Sequence, residues 1–156
     1  MYLWLKLLHV ASVIAFLGNI TTGLFWHVQA ARMRDARILA ATMKGIIRSD
    51  RLFTVPGVVG IVGTGIAMAL LAGFPLLRTA WIGWSLALFA LSGAVFMWQV
   101  APLQRRLLAL AQAGEFAAQF DYPAYAALAR RWEWWGGVAL MTPVGALFLM
   151  VLKPQA

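Results

Sequence analysis

The first 29 residues contain an apolar stretch that is long enough to cross a membrane. Residues 2–29 carry one charged side chain, Lys6, besides two histidines. An α-helix rises about 1.5 Å per residue, so about 20 residues cross the hydrocarbon core of a bilayer. Only 12% of the whole chain is charged, whereas a soluble domain carries about 25%. The sequence therefore predicts an all-α membrane protein.

Four apolar stretches predict an antiparallel bundle of four transmembrane helices. They cover about residues 3–29, 52–74, 81–101 and 134–152. Two longer polar connections, residues 30–51 and 102–133, join the first span to the second and the third to the fourth. We interpret residues 1–156 as a single four-helix transmembrane domain.

The first connection predicts an amphipathic helix. Its apolar residues recur at spacings of three and four, which places them on one helical face. They are Leu39, Met43, Ile46 and Ile47. We expect this helix to be cytoplasmic and either to lie on the membrane surface or to continue the first span beyond the bilayer.

Prolines and one glycine predict where helices begin and end. Pro56 suits the first turn of the second span, where a missing N–H does no harm. Gln99 and Pro102 indicate the end of the third span. In the second connection, Gly114 and Pro123 predict breaks around two short helices.

The distribution of basic residues predicts the orientation in the membrane. Of the thirteen lysines and arginines, six lie in residues 31–51 and four in residues 103–131. Cytoplasmic loops carry such an excess of positive charge. We therefore predict a multi-pass protein of the bacterial inner (plasma) membrane with both termini periplasmic. The net charge of +8 then needs no nucleic acid as a partner.

The polar residues of the first span share one face. At 100° per residue, a narrow stripe contains His9, Ser12, Phe16, Asn19, Gly23 and His27. Polar groups in hydrocarbon cost free energy unless they find partners. The stripe is therefore predicted to face protein.

Several kinds of chemistry lack the residues they need. The chain has no cysteine, and no acidic residue lies within the four predicted spans. We find no phosphate-binding loop, zinc constellation or Ser-His-Asp pattern. Glu133 lies at the edge of the fourth span, three residues after Arg130, which predicts a local ion pair. Hydrolysis, phosphoryl transfer and dinucleotide binding have no support.

His9 is an ionisable residue within a predicted span, and such residues indicate a functional site. It could ligate a haem iron, relay protons, or hydrogen-bond a neighbouring carbonyl within the bundle. His27 lies about 27 Å away on the same helix, so both cannot ligate one haem, and a structural role suits it better. A haem at His9 would need a different sixth ligand, a vacant position or a ligand from a partner chain. Counting from the outer ends of the spans places Met68 level with His9, and His/Met ligation is chemically reasonable.

Short segments of the sequence resemble a known family. YLWLKLLH (residues 2–9) resembles the first helix of HemJ-type protoporphyrinogen IX oxidases. RL (51–52) and VPGVV (55–59) resemble the entry to that family's second helix, and WI (81–82) the start of its third. CopD-type membrane proteins share the general plan. Over its whole length the chain resembles a bacterial family of four-span integral membrane proteins of unknown function (DUF2269-like).

The HemJ resemblance implies haem b bound to His9 and a redox role, either electron transfer or porphyrin oxidation. A quinone or porphyrin would then be a partner. That family's second ligand is a lysine in the third span, where this sequence has Ser85. Together with the stripe and the depth of Met68, the resemblance predicts a cofactor site with His9 as metal ligand. Its residues are His9, Ser12, Phe16, Asn19, Arg51 and Met68.

Two other functions stay open. The chain could be an accessory or scaffold membrane subunit without a cofactor, or a small-molecule channel or transporter. Small residues in the second span, such as the pairs Gly63/Ala67 and Gly65/Ala69, let a neighbouring helix approach closely. They permit a homodimer or a larger membrane complex in the bilayer.

Overall fold

The computed structural model describes residues 1–75, 79–116 and 120–153. Three short segments lie outside the described residues. They are residues 76–78 between spans two and three, residues 117–119 in the second long connection, and the tail, residues 154–156. The helices are α1 (Tyr2–Met33), α2 (Ala36–Ser49), α3 (Val55–Leu71), α4 (Ala80–Val95), α5 (Ala101–Phe116) and α6 (Tyr122–Leu152). Two π-helical segments, π1 (Asp50–Thr54) and π2 (Phe96–Val100), join α2 to α3 and α4 to α5.

Because π1 and π2 continue the helical path, the described residues form four long helices. Each is long and apolar enough to cross a membrane; α2–π1–α3 has 36 residues and α4–π2–α5 has 37. At about 1.5 Å per residue these two are about 55 Å long, well beyond the hydrocarbon core of about 30 Å. The predicted all-α four-helix membrane bundle is confirmed.

The two ends of the bundle differ. The start of α1, the end of α6 and the connection from α3 to α4 lie at one end, here called the terminal end. The other end contains the connections from α1 to α2 and from α5 to α6. We call it the basic end, because ten of the thirteen Lys and Arg residues belong to residues 31–51 and 103–131. The predicted orientation in the membrane stays a prediction.

A tight connection separates α1 from α2. Arg34 adopts the left-handed conformation (φ 53°) and ends α1. Asp35 caps α2, since its Oδ1 accepts the backbone N–H groups of Arg37 and Ile38 at 2.8 and 3.2 Å. Such a cap favours a new helix at this point. The amphipathic helix therefore begins the second long helix, and the expectation that it continues the first was wrong.

The apolar face of α2 is covered by protein. Leu39 and Met43 are fully buried, and α2 packs against α5. The hydrophobic core lies in this basic half of the bundle, with Leu107 and Tyr125 also fully buried. This face is therefore occupied by helix packing and not by a membrane surface.

Two of the prolines within the long helices, Pro56 and Pro102, lie two residues after a π segment. An α-helical proline ring clashes with the carbonyl four residues earlier, and the wider turn of a π segment relieves that clash. Pro56 does lie in the first turn of α3, as predicted, but the helical path starts at Ala36. Pro102 does not end its helix, which continues to Phe116.

The second connection does not form two separate short helices. α5 passes through Gly114 without a break, and α6 begins at Tyr122 with Pro123 in its first turn. Asp121 caps α6 by accepting the N–H of Ala124 at 3.0 Å. A side chain on Gly114 would overlap the ring of Phe120, so this glycine gives Phe120 room to pack.

In the terminal half, the helices form two pairs. α1 packs against α3, and α4 packs against α6. Large apolar side chains such as Ile14, Val59 and Phe148 are more than half exposed on the outside of the bundle, as suits a surface in lipid. The space between the two pairs is the first candidate site.

Candidate functional site

A cavity of about 650 Å³ separates the α1/α3 pair from the α4/α6 pair. On the side of the basic end, the rings of Phe16 and Phe89 meet at 5.5 Å between centroids. Towards the terminal end the cavity is bordered by Lys6, Trp81 and Lys153, with the Lys153 ammonium 5.6 Å from the Trp81 ring centroid. Small-molecule sites have volumes of about 300 to 1,000 Å³. We call this space the His9 cavity.

The His9 cavity opens sideways between the helices. Ile14 and Val151 line it, yet they are 67% and 69% exposed. In a membrane this side of the bundle faces lipid. Most of the other lining side chains are apolar. The cavity thus suits a lipophilic ligand that enters from the bilayer.

One tautomer of His9 is fixed by its neighbour Thr64. The Nδ1 atom lies 2.9 Å from Thr64 Oγ1, and the Thr64 hydroxyl donates to the carbonyl of Gly60 in its own helix. A hydroxyl has one hydrogen, so we assign the proton between the two side chains to His9 Nδ1. The lone pair then lies on Nε2, for which the described residues provide no hydrogen-bond donor.

Small residues on α3 let α1 approach. A Cβ on Gly57 would lie 3.1 Å from Phe16 Cβ, and one on Gly65 would lie 3.4 Å from His9 Cε1. A side chain on Gly60 would overlap Ser12. Only one of the two predicted small-residue pairs faces the interior. Gly65 and Ala69 line the His9 cavity, while Gly63 is exposed with no atom within 4 Å of an added Cβ.

Three of the six predicted site residues line the His9 cavity: His9, Phe16 and Met68. Ser12 lies at the α1/α3 contact, and its hydroxyl donates to the Leu8 carbonyl in its own helix at 2.8 Å. Arg51 is exposed. Asn19 belongs to a different polar cluster. The predicted set is therefore divided between the cavity, a helix contact, the protein surface and that cluster.

Ser85 and Met150 line the cavity from the opposite helix pair. The Ser85 hydroxyl donates to the carbonyl of Trp81 at 2.7 Å and lies 3.4 Å from that of Ala146. This serine therefore contributes to the packing of α4 on α6. Met150 was not among the predicted site residues, although the sequence places Met150 within the fourth predicted span.

A buried carboxylate lies in the first predicted connection, two residues before the second predicted span. Asp50, in π1, is 7% exposed. Its Oδ1 accepts from Asn19 Nδ2 at 3.0 Å and from the Thr54 hydroxyl at 2.9 Å, and its Oδ2 accepts from Gln104 Nε2 at 2.8 Å. We call these four residues the Asp50 cluster. Buried polar groups with several partners lock the helices that carry them.

Asp50 was not predicted to be buried, because it lies outside the predicted span 52–74, among the charges of a polar connection. A signal was present in the sequence. Asp50 follows Leu39, Met43 and Ile46 at the same spacing of four and three, so it lies on the buried face of the amphipathic helix.

His27 is completely buried and has partners for both ring nitrogens. Nδ1 lies 3.1 Å from Glu133 Oε1, and Nε2 lies 3.0 Å from the Tyr125 hydroxyl. The ring also meets Trp132 edge to face at 4.7 Å. Glu133 thus pairs with His27, and the predicted local ion pair with Arg130 is not formed. These bonds join α1 to α6 at the basic end.

Over the described ranges, no group of three or more His, Asp or Glu side chains is placed to hold a metal ion. His9 is a single candidate ligand at a large, mostly apolar cavity.

A comparison with known protein families gives a match. A family described as "Predicted integral membrane protein (DUF2269)" matches residues 3–154. No curated protein and no solved structure matches the chain significantly. The resemblance to HemJ-type and CopD-type proteins stays a prediction.

Proposed function

We propose that the chain, which belongs to the DUF2269 family of integral membrane proteins, binds haem b in the His9 cavity and serves a redox role. The observation that carries the proposal is the position of His9. Its Nδ1 is bonded to Thr64 and its Nε2 is left with a lone pair at an apolar cavity of about 650 Å³.

The contact between His9 and Thr64 supports metal ligation. Histidines that ligate metals donate their other ring N–H to a fixed acceptor, which sets the tautomer and the ring orientation. Thr64 is 6% exposed, and its own hydroxyl proton is engaged by Gly60. His9 is therefore oriented before any ligand binds.

The volume and lining of the cavity support the binding of a porphyrin. The space lies between two helix pairs, and its floor is formed by the apolar rings of Phe16 and Phe89. Lys6 and Lys153 border it near the terminal end. Two ammonium groups beside an apolar slot would attract the two propionate groups of a haem. A bound haem b would supply one-electron redox chemistry, while the chain would hold and orient it.

A methionine of the cavity would provide the sixth ligand. Met68 stands on α3, beside α1, and Met150 stands on α6, across the cavity. Met150 is two residues from the end of α6, whereas His9 is seven residues from the start of α1. Met68 is three residues from the end of α3, so the two methionines lie at similar depths. Loss of the iron–thioether absorption in Met68→Ala, with retention in Met150→Ala, would identify Met68 as the ligand, and the reverse result would identify Met150.

The test is an absorption spectrum of the detergent-solubilised protein after reconstitution with haem b, oxidised and then reduced. We expect a Soret band that His9→Gly loses and that added imidazole restores. Ser12→Ala is the matched control, since Ser12 lies one turn away on the same stripe but outside the cavity.

Two results would overturn the proposal. One is a wild-type protein that, after addition of haem b, shows no Soret band distinct from that of free haem. The other is a band of equal size in His9→Gly without imidazole, with both proteins folded by circular dichroism. The accessory subunit without a cofactor would then be the better description.

A further inference from the structure

A second, much smaller cavity lies beside the Asp50 cluster, between all four long helices. Its volume is about 20 Å³. A cavity needs a volume of about 10 to 15 Å³ to hold one water molecule. The space is therefore large enough for a single water molecule.

Four side chains with polar atoms reach this small cavity, whose other lining residues are apolar or glycine. Asn19, Asp50 and Gln104 line it together with Trp132. A buried water is stable when it has two to four polar partners. Oδ2 of Asp50 accepts one bond, from Gln104, and a carboxylate oxygen can accept a second.

Trp132 provides an independent indication of a ligand. The residue is 2% exposed, and within the described part of the chain its indole N–H has no hydrogen-bond acceptor. Buried N–H groups almost always have an acceptor, either in the protein or in ordered water. This donor belongs to a side chain that lines a cavity of the size of one water.

We propose that the small cavity is a binding site for one water molecule, which accepts from Trp132 Nε1–H and donates to the Asp50 carboxylate. The site is separate from the His9 cavity and does not depend on haem binding. The water extends the Asp50 cluster to the fourth long helix, which the direct hydrogen bonds of Asp50 do not reach.

The water also connects the Asp50 cluster, through Trp132, with a second polar group formed by His27, Glu133 and Tyr125. The Trp132 ring lies 4.7 Å from the ring of His27, which bonds Glu133 and Tyr125. One polar layer then crosses the bundle. The two π segments contribute Asp50, Phe96 and Val100 to the walls of the small cavity. Such π segments within α-helices are frequent at functional sites.

Nuclear magnetic resonance of the indole N–H groups tests the site directly. The protein in detergent is labelled with ¹⁵N-tryptophan, and Trp132→Phe assigns the signal. We expect the Trp132 N–H to show a nuclear Overhauser effect to a water molecule with a long residence time. A folded wild-type protein without this effect at Trp132 would overturn the proposal.

A substitution that fills the cavity gives a second test. Gly23 lines the small cavity, and a Cβ there would meet only Ile46, at 3.8 Å, an ordinary contact. Gly18, on the same helix with nothing within 4 Å, is the matched control for helix propensity. If Gly23→Ala displaces the water, it unfolds at a lower temperature than Gly18→Ala and loses the Overhauser effect.

A dry cavity gives the opposite sign. The added methyl group would then fill empty space, and Gly23→Ala would unfold at a higher temperature than Gly18→Ala. That result would overturn the proposal, whether or not haem binds at His9.

Discussion

The hydroxyl of Ser92 on α4 donates to the carbonyl of Ala139 on α6 at 2.6 Å. In a regular helix this carbonyl would accept from the N–H four residues later. That residue is Pro143, which has no N–H. The interhelical bond therefore satisfies a buried carbonyl that the proline leaves unpaired, as membrane helices require.

Ser92→Ala should destabilise the bundle, because the Ala139 carbonyl would be left buried without a donor. We expect a loss of about 1 to 3 kcal/mol in the free energy of unfolding. The measurement is reversible unfolding in mixed detergent micelles. In a Pro143→Ala background the loss should shrink, since residue 143 can then donate to Ala139. Equal losses in both backgrounds would show that the proline does not create the need for Ser92.

Gly57→Ala should separate α1 from α3. The new Cβ would lie 3.1 Å from Phe16 Cβ and 3.4 Å from the Ser12 carbonyl oxygen, and neither is the end of a flexible side chain. Overpacking of this kind costs about 1 to 3 kcal/mol. Gly63→Ala is the matched control, because it faces open space and gains about 1 kcal/mol of helix propensity. Similar unfolding curves for the two variants would contradict the α1/α3 contact.

Asp50→Ala should cost more stability than Asp35→Ala. Loss of the Asp50 carboxylate deprives three donors of an acceptor inside the bundle, and one unsatisfied buried group costs about 1 to 3 kcal/mol. Asp35 is an exposed helix cap, for which the loss is about 1 kcal/mol. Reversible unfolding of both variants provides the comparison. A smaller loss for Asp50→Ala would mean that its donors find other partners.

The fold was predictable because hydrophobic length and charge position determine it. The apolar stretches give the four spans, and the polar stripe on α1 does face protein, with Phe16 and His27 buried. Helix ends were less predictable. Pro102 and Gly114 are normally read as helix ends, but the first follows a π segment and the second leaves space for Phe120.

The candidate site was predictable only in part. One stripe on α1 serves two different environments, since His9 lines the large cavity and Asn19 bonds Asp50 at 3.0 Å. Helical periodicity gives the face of a residue but not which partner helix covers it at each depth. The burial of Asp50 depends on packing among helices that are distant in sequence, so the hydropathy profile did not show it.

Thr64→Val should weaken haem binding while the ligand itself is retained. The substitution keeps the shape of residue 64 but removes the oxygen that accepts from His9 Nδ1. Removing such a supporting partner raises the dissociation constant of a metal site by about 10- to 100-fold. The measurement is a titration of the purified variant with haem b, followed at the Soret band.

Thr142→Val is the matched control for this variant. Its hydroxyl donates to the Val138 carbonyl in its own helix at 3.1 Å, and the residue does not line the His9 cavity. We therefore expect wild-type affinity for haem in Thr142→Val. If Thr64→Val also binds as tightly as the wild type, the contact between His9 and Thr64 does not orient the ligand. The imidazole must then be held by its other contacts, which are the backbone of Ile61, to which it also hydrogen-bonds, and the walls of the cavity.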